Sequence, residues 1–150
     1  METMTENMFA QSVEAKRCLI PLNGYFEFNK ARGKGSIPHY FYRSDQELFS
    51  VASIWESVRT PEGILQSMAI VTCPSNNLNA RVHPRMPVIF ETREQEELWL
   101  DPGNRNLEEL KKLCVTLPDE FMAGHRAPDT VNNAANDLPG LIEPTRELTK

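Results

Sequence analysis

The sequence predicts an α+β fold: a single domain of mainly antiparallel strands in a barrel-like sheet core, flanked by short helices. Three observations lead there. Short strand-like runs are separated by Gly, Pro and Asn turn signals. Three segments open with helix-capping pairs. The chain has 150 residues, 40% hydrophobic and 25% charged, enough to bury one core without metal or disulfide.

The elements follow in order. Thr3 with Glu6 reads as a capping box, and Met8, Phe9, Ser12 and Val13 then recur at helical spacing, which predicts a helix over 4–16. Residues 18–21 and 24–28 read as strands. The polar loop at 29–36 turns the chain into a returning strand at 37–43. Residues 48–55 form another strand, turned by Thr60-Pro-Glu-Gly63 into a partner at 64–73. An Asn/Pro loop at 74–84 precedes a short strand at 86–90. Thr92 with Gln95 starts a helix that Asp101-Pro-Gly stops, and Asn106 with Glu109 starts another that runs to Leu113. A strand near 121–127 and a Pro/Asn-rich tail complete the chain.

Composition excludes several classes. Eleven Pro against seven Gly, without period, is neither collagenous nor low-complexity. Apolar runs reach only about four residues, so no membrane association is expected. Glu2, Glu6 and Glu14 interrupt any apolar leader, which argues against a secretory signal. Cys18, Cys73 and Cys114 are dispersed and odd in number, pointing to a reducing cytosol and to no metal site. A cytoplasmic monomer without cofactors is expected. Net charge is −5, yet residues 16–43 carry Lys16, Arg17, Lys30, Arg32, Lys34 and Arg43 against the single acid Glu27. Residues 70–89 hold Arg81, Arg85 and His83 with no acid. Two basic stretches on an acidic chain suit either a solvated surface or a strand-binding one.

Two residues stand out for chemistry. Glu27 lies mid-strand between Phe26 and Phe28 and shares its face with Tyr25. A carboxylate in that setting suits a general acid or base, or else an exposed group on an edge strand. His83 lies in Arg81-Val-His-Pro-Arg-Met-Pro87, where two prolines stiffen a loop that carries two arginines. It suits proton transfer near neutral pH, the arginines suit phosphates, and a plain surface histidine is the alternative. His39 and His125 are less distinctive. Trp55 and Trp99 read as core or stacking residues with core favoured, the cysteines as structural, and a Cys73–His83 nucleophile pair has no warrant in spacing.

The order of the motifs adds a further reading. Arg17-Cys-Leu-Ile-Pro, Gly24-Tyr-Phe-Glu-Phe, Pro38-His-Tyr-Phe and Ala52-Ser-Ile-Trp-Glu56 come first. Thr72-Cys-Pro-Ser-Asn76, His83-Pro-Arg-Met-Pro-Val-Ile89, Trp99-Leu-Asp-Pro102 and Leu141-Ile-Glu-Pro144 follow. Over about 17–144 this series resembles the SOS response-associated peptidase (SRAP) family. The resemblance implies a DNA-damage protein that binds abasic sites in single-stranded DNA. It implies covalent crosslinking through a cysteine at position two, exposed by self-removal of the initiator Met. An N-terminal Cys pairs an amine of pKa about 8 with a thiol of about 8.5, and together they close a thiazolidine on the sugar aldehyde. It further implies Glu27 as proton shuttle and His83 as the aid to ring opening. Arg17, Phe28, Lys30, Thr72, Arg81 and Arg85 would then contact DNA.

The family opens Met-Cys-Gly-Arg and later carries Asn-Ala-Arg-x-Glu-Thr. This chain opens Met1-Glu2-Thr3, which resembles the tail of the second block. The expectation is therefore a domain over 1–150 without that N-terminal segment and without crosslinking. Phe28 stands where the family has a stacking Trp. The alternative is a noncovalent single-stranded-DNA-binding or structural remnant.

Overall fold

The computed structural model describes residues 10–30 and 36–147. The Thr3–Glu6 capping box, the loop at 31–35 and the Lys30 side chain lie outside the described part. In chain order the elements begin α1 (Ala10–Ala15), β1 (Arg17–Leu22), β2 (Tyr25–Lys30), β3 (Ser36–Arg43) and β4 (Phe49–Thr60). Next come β5 (Gly63–Ile70), β6 (Thr72–Pro74), α2 (Asn77–Ala80) and β7 (Arg85–Pro87). The chain continues through α3 (Arg93–Leu100), α4 (Leu107–Leu113), β8 (Met122–Arg126) and β9 (Arg146–Glu147). It divides into two compact units, one holding 10–21, 49–74 and 87–117, the other holding 22–30, 36–48, 75–86 and 118–147.

The first unit carries a sheet in the order β1-β4-β5. The β4–β5 hairpin turns at Gly63, whose φ of +136° is a backbone conformation that glycine adopts without strain. Every residue of β5 is exposed, including Ile64, Leu65, Met68 and Ile70. The reason lies in the register. This edge strand pairs with Ser53–Thr60 of β4, and beyond Ile54 that strand too leaves the core. Trp55 is accordingly 39% exposed, with Lys16 over its ring and Lys16 paired to Glu56, so it is not the core residue its sequence suggested. Trp99 is core at 0%, and its indole N–H donates to the Cys18 carbonyl at 3.0 Å. The expected strand at 64–73 divides at Val71, which switches partners. Its N–H donates to Ala52 O and its carbonyl accepts from Val88, both at 2.9 Å.

Both predicted caps form. Thr92 and Gln95 make the reciprocal capping box of α3, and Asn106 Oδ1 accepts from the Glu108 and Glu109 amides of α4. Arg17 ties the ends of α1 and α3 together. Its guanidinium donates to the carbonyls of Val13 (2.6 Å), Glu14 (2.7 Å), Asp101 (2.5 Å), Asn104 (2.9 Å) and Trp99. These carbonyls lie at helix C-termini, where a cation is stabilised by the partial negative charge. Burial still pulls the guanidinium pKa down, with Asp101 opposing.

The second unit is built on a sheet ordered β2-β3-β8-β9. β2 and β3 pair antiparallel with Glu27 opposite His39, and β3 pairs with β8 with His39 opposite Arg126. Tyr40 stacks within a cluster of Phe26, Tyr42 and His125, with ring centres 5.2–5.7 Å apart. Gly24 lets the chain pass this cluster: a Cβ there would meet the Tyr40 ring at 2.2 Å, and Tyr40 is buried. The strands are antiparallel with few short helices, as the sequence indicates, but the sheets are open rather than closed into a barrel. The expected 74–84 loop contains α2, because Asn76 caps it. The strand expected at 86–90 shortens to β7, with Ile89 bridging Val51.

Two stability experiments follow. Arg17→Lys keeps the charge but loses the planar fork, so it is expected to destabilise the chain by about 2 kcal/mol in urea melts. A loss well under that would show that the carbonyls find other donors. His39 is buried, and its pKa is lowered by burial first and by Arg126 and His125 besides, against the Ile37 carbonyl, which raises it. The unfolded chain then binds a proton below the ordinary 6.5 while the folded chain does not. Stability is therefore expected to fall as pH drops through and below 6.5. Melting temperatures across that range should show a shallower acid slope for His39→Gln, and an unchanged slope would count against the assignment.

Candidate functional site

β2 is an edge strand, and its alternation puts Tyr25, Glu27 and Asn29 on one face. All three meet a single segment, 79–83. The Tyr25 hydroxyl donates to Asn79 Oδ1 at 2.6 Å. The Asn29 amide donates to the Arg81 carbonyl at 3.3 Å. Between them, His83 Nδ1 stands 4.0 Å from Glu27 Oε2. Residues 56 positions apart in the chain thus face each other.

The loop that carries His83 is held at both ends. The Ser75 amide donates to Pro84 O at 3.1 Å and its hydroxyl to His83 O at 2.8 Å. The His83 amide donates to Asn79 O at 2.9 Å. Nδ1 lies 3.0 Å from the Arg85 carbonyl and 3.2 Å from the Arg85 amide. One nitrogen serves only one of these at a time, as donor to the carbonyl or as acceptor from the amide. Glu27 Oε1 accepts from the Phe28 amide at 3.1 Å, which leaves Oε2 toward the imidazole. The two side chains are 27% and 44% exposed, so both reach solvent while facing each other. A carboxylate and an imidazole so placed can pass a proton after a small rotation or through one bridging water.

The other expected site residues fall differently. Arg81 is exposed and lines a hollow of about 300 Å³ with Leu78, Asp119 and Glu120. Arg85 flanks His83 on its C-terminal side and is partly exposed. Phe28 lies on the opposite face of β2 from Glu27, in register with Pro38. Thr72 begins β6 in the first unit and is partly exposed. Arg17 directs its donors to main-chain carbonyls and so clamps the first unit. Arg43 pairs with Asp45 and Lys16 with Glu56, while the Lys30, Arg32 and Lys34 side chains lie outside the described part.

None of the cysteines presents an activated thiolate. Burial raises the Cys18 pKa, and burial with the nearby Cys73 pushes Cys114 up to about 11. Cys73 is 3% exposed with its thiol toward the Val115 carbonyl at 3.6 Å. Tyr25, Asn76 and Asn79 were missed from sequence. The available signal was Asn76 three residues ahead of Asn79, an N-cap pattern hidden in what reads as a loop.

Comparison with known proteins places this arrangement in a family. Residues 1–134 match the family described as SOS response associated peptidase (SRAP). The chain is 34% identical over 144 residues to abasic site processing protein YoqW of Bacillus subtilis, covering 95% of this chain and 64% of that protein. It is 30% identical over 149 residues to abasic site processing protein YMR114C of Saccharomyces cerevisiae, covering 96% of this chain and 40% of that protein. The chain thus spans less than two thirds of these relatives. A crystal structure of a protein from Bacteroides thetaiotaomicron superposes with a TM-score of 0.80 at 28% identity, over 94% of this chain and 62% of that one. With the family match running through both β2 and the His83 loop, the chain belongs to the SOS response associated peptidase (SRAP) family.

Proposed function

We propose that this chain recognises abasic sites in single-stranded DNA, with Glu27 and His83 carrying the proton transfers on the exposed sugar. The observation that supports it most is the 4.0 Å approach of His83 Nδ1 to Glu27 Oε2 on a partly open surface. The similar proteins named as abasic site processing proteins supply the substrate class. An abasic deoxyribose rests as a cyclic hemiacetal. Opening it removes the proton from the C1′ hydroxyl, breaks the C1′–O4′ bond and returns a proton to O4′, leaving a C1′ aldehyde and a 4′ hydroxyl. A carboxylate and an imidazole within proton-transfer reach of each other supply the base and the acid. Arg81 and Arg85, in a stretch without acids, suit the flanking phosphates. Phe28 offers a smaller stacking surface than a Trp would.

Burial holds the Cys18 and Cys114 thiols protonated, so the role given to this chain is recognition and sugar opening. Binding is tested with labelled single strands that contain or lack one abasic site, over a range of salt. The expected result is tighter binding of the abasic strand, with log affinity falling by roughly 0.7 per log unit of salt for each phosphate neutralised. Trapping of the open aldehyde by a hydroxylamine probe should slow by on the order of a hundredfold in Glu27→Gln and His83→Ala, since each removes one proton carrier. Equal affinity for the intact strand with a flat salt response would instead support a structural remnant.

A further inference from the structure

We propose that Asn79 is a positioning residue for the Glu27–His83 pair, an inference that rests on reading that pair as the proton-transfer machinery. Asn79 is 2% exposed, and its polar groups point two ways. Its side chain grips the strand that carries Glu27: Oδ1 accepts from the Tyr25 hydroxyl at 2.6 Å, two residues before the carboxylate. Its main chain grips the loop that carries His83: the carbonyl accepts from the His83 amide at 2.9 Å. Asn76 Oδ1 fixes the residue between these grips by accepting from both Asn79 Nδ2 (2.8 Å) and the Asn79 amide (2.9 Å). One buried amide therefore ties the strand to the loop beside the 4.0 Å approach, and the Asn29–Arg81 bond is the second tie on its other side.

The position of β2 makes this tie matter. Among the described residues β2 is paired by β3 alone, so its outer residues draw on side-chain contacts. Tyr25 and Asn29 provide those contacts on either side of Glu27. Loss of the Tyr25 tie frees the start of β2 to shift relative to the 79–83 segment. A displacement of about 1 Å at a proton-transfer contact costs as much as a hundredfold in rate. The surrounding bonds are neutral, so Asn79 sets geometry without adding charge to the site.

The test is a spectroscopic cycle on the full 150-residue chain without DNA. Long-range nitrogen–proton NMR spectra of the His83 ring are recorded for the unaltered chain and for Glu27→Gln, each with and without Asn79→Ala. Circular dichroism melts check folding. Glu27→Gln is expected to move the His83 ring nitrogens in the unaltered background, and that displacement should at least halve in the Asn79→Ala background. Tyr25→Phe cuts the same tie from the strand side, keeps the ring, and should act likewise. Aldehyde trapping on an abasic strand should slow in both variants while strand affinity is retained. A full Glu27→Gln displacement in both backgrounds would overturn the proposal, and if Asn79→Ala does not fold, Tyr25→Phe decides alone. If the unaltered chain proves inert toward abasic strands, the functional reading falls, yet the spectroscopic cycle still decides whether Asn79 positions the pair.

Discussion

A loop that carries a titratable histidine has to be tied to the strand that carries its carboxylate partner, because nothing in the local sequence brings them together. In this chain neutral hydrogen bonds to buried polar groups make the tie. Tyr25, Asn79 and Asn76 form one connected run: hydroxyl to amide oxygen, amide nitrogen to amide oxygen. A buried polar group costs more when unsatisfied than it contributes when paired, so such a run is rigid only if it is complete. Completeness explains why a short α2, capped by Asn76, sits where the sequence promises only a loop. The helix exists to hold Asn79 at an angle that serves the strand with its side chain and the loop with its carbonyl.

What the sequence made legible was local. Capping pairs at Thr92–Gln95 and Asn106–Glu109 are read from residues three apart, and the structure forms both. The Gly24-to-Phe28 run alternates as a strand, and that alternation alone puts Tyr25 and Glu27 on one face. The motif order carried the family. What stayed hidden depends on contacts across long separations. The Asn79 role needs Tyr25, 54 residues away, and the Arg17 clamp needs Trp99, 82 residues away. No periodicity encodes either. The exposure of β5 was hidden for a related reason: its apolar residues look like core until the register shows that its partner has already left the core.

Charge read from sequence takes no account of where each cation finds its partner. A stretch from 16 to 43 that looks like a basic surface contributes Lys16 to Glu56, Arg43 to Asp45 and Arg17 to five carbonyls. These cations are neutralised locally or spent on helix ends, and a summed charge counts them as available. A field that steers a polyanion comes from cations whose compensation is distant. The 70–89 stretch contains no acid of its own, yet Arg81 shares a hollow with Asp119 and Glu120, so its charge too has acidic neighbours from elsewhere in the chain.

The three histidines sit in different surroundings. His39 lies opposite Glu27 in the β2–β3 register and so on the same face of the sheet, but it is buried. Its Nδ1 is directed at the Ile37 carbonyl at 3.2 Å, and burial favours its neutral form. His125 is equally buried, with Nε2 bonded to the Ile142 carbonyl at 2.9 Å and its ring against Tyr40 and Tyr42. Protonating His39 would place a cation in a site with little access to water. His83 keeps Nδ1, the nitrogen that faces Glu27, beside the Arg85 backbone, on a side chain 44% exposed. Oriented by that backbone, open to solvent and 4.0 Å from a carboxylate, it is the histidine on which the proposed proton transfer rests.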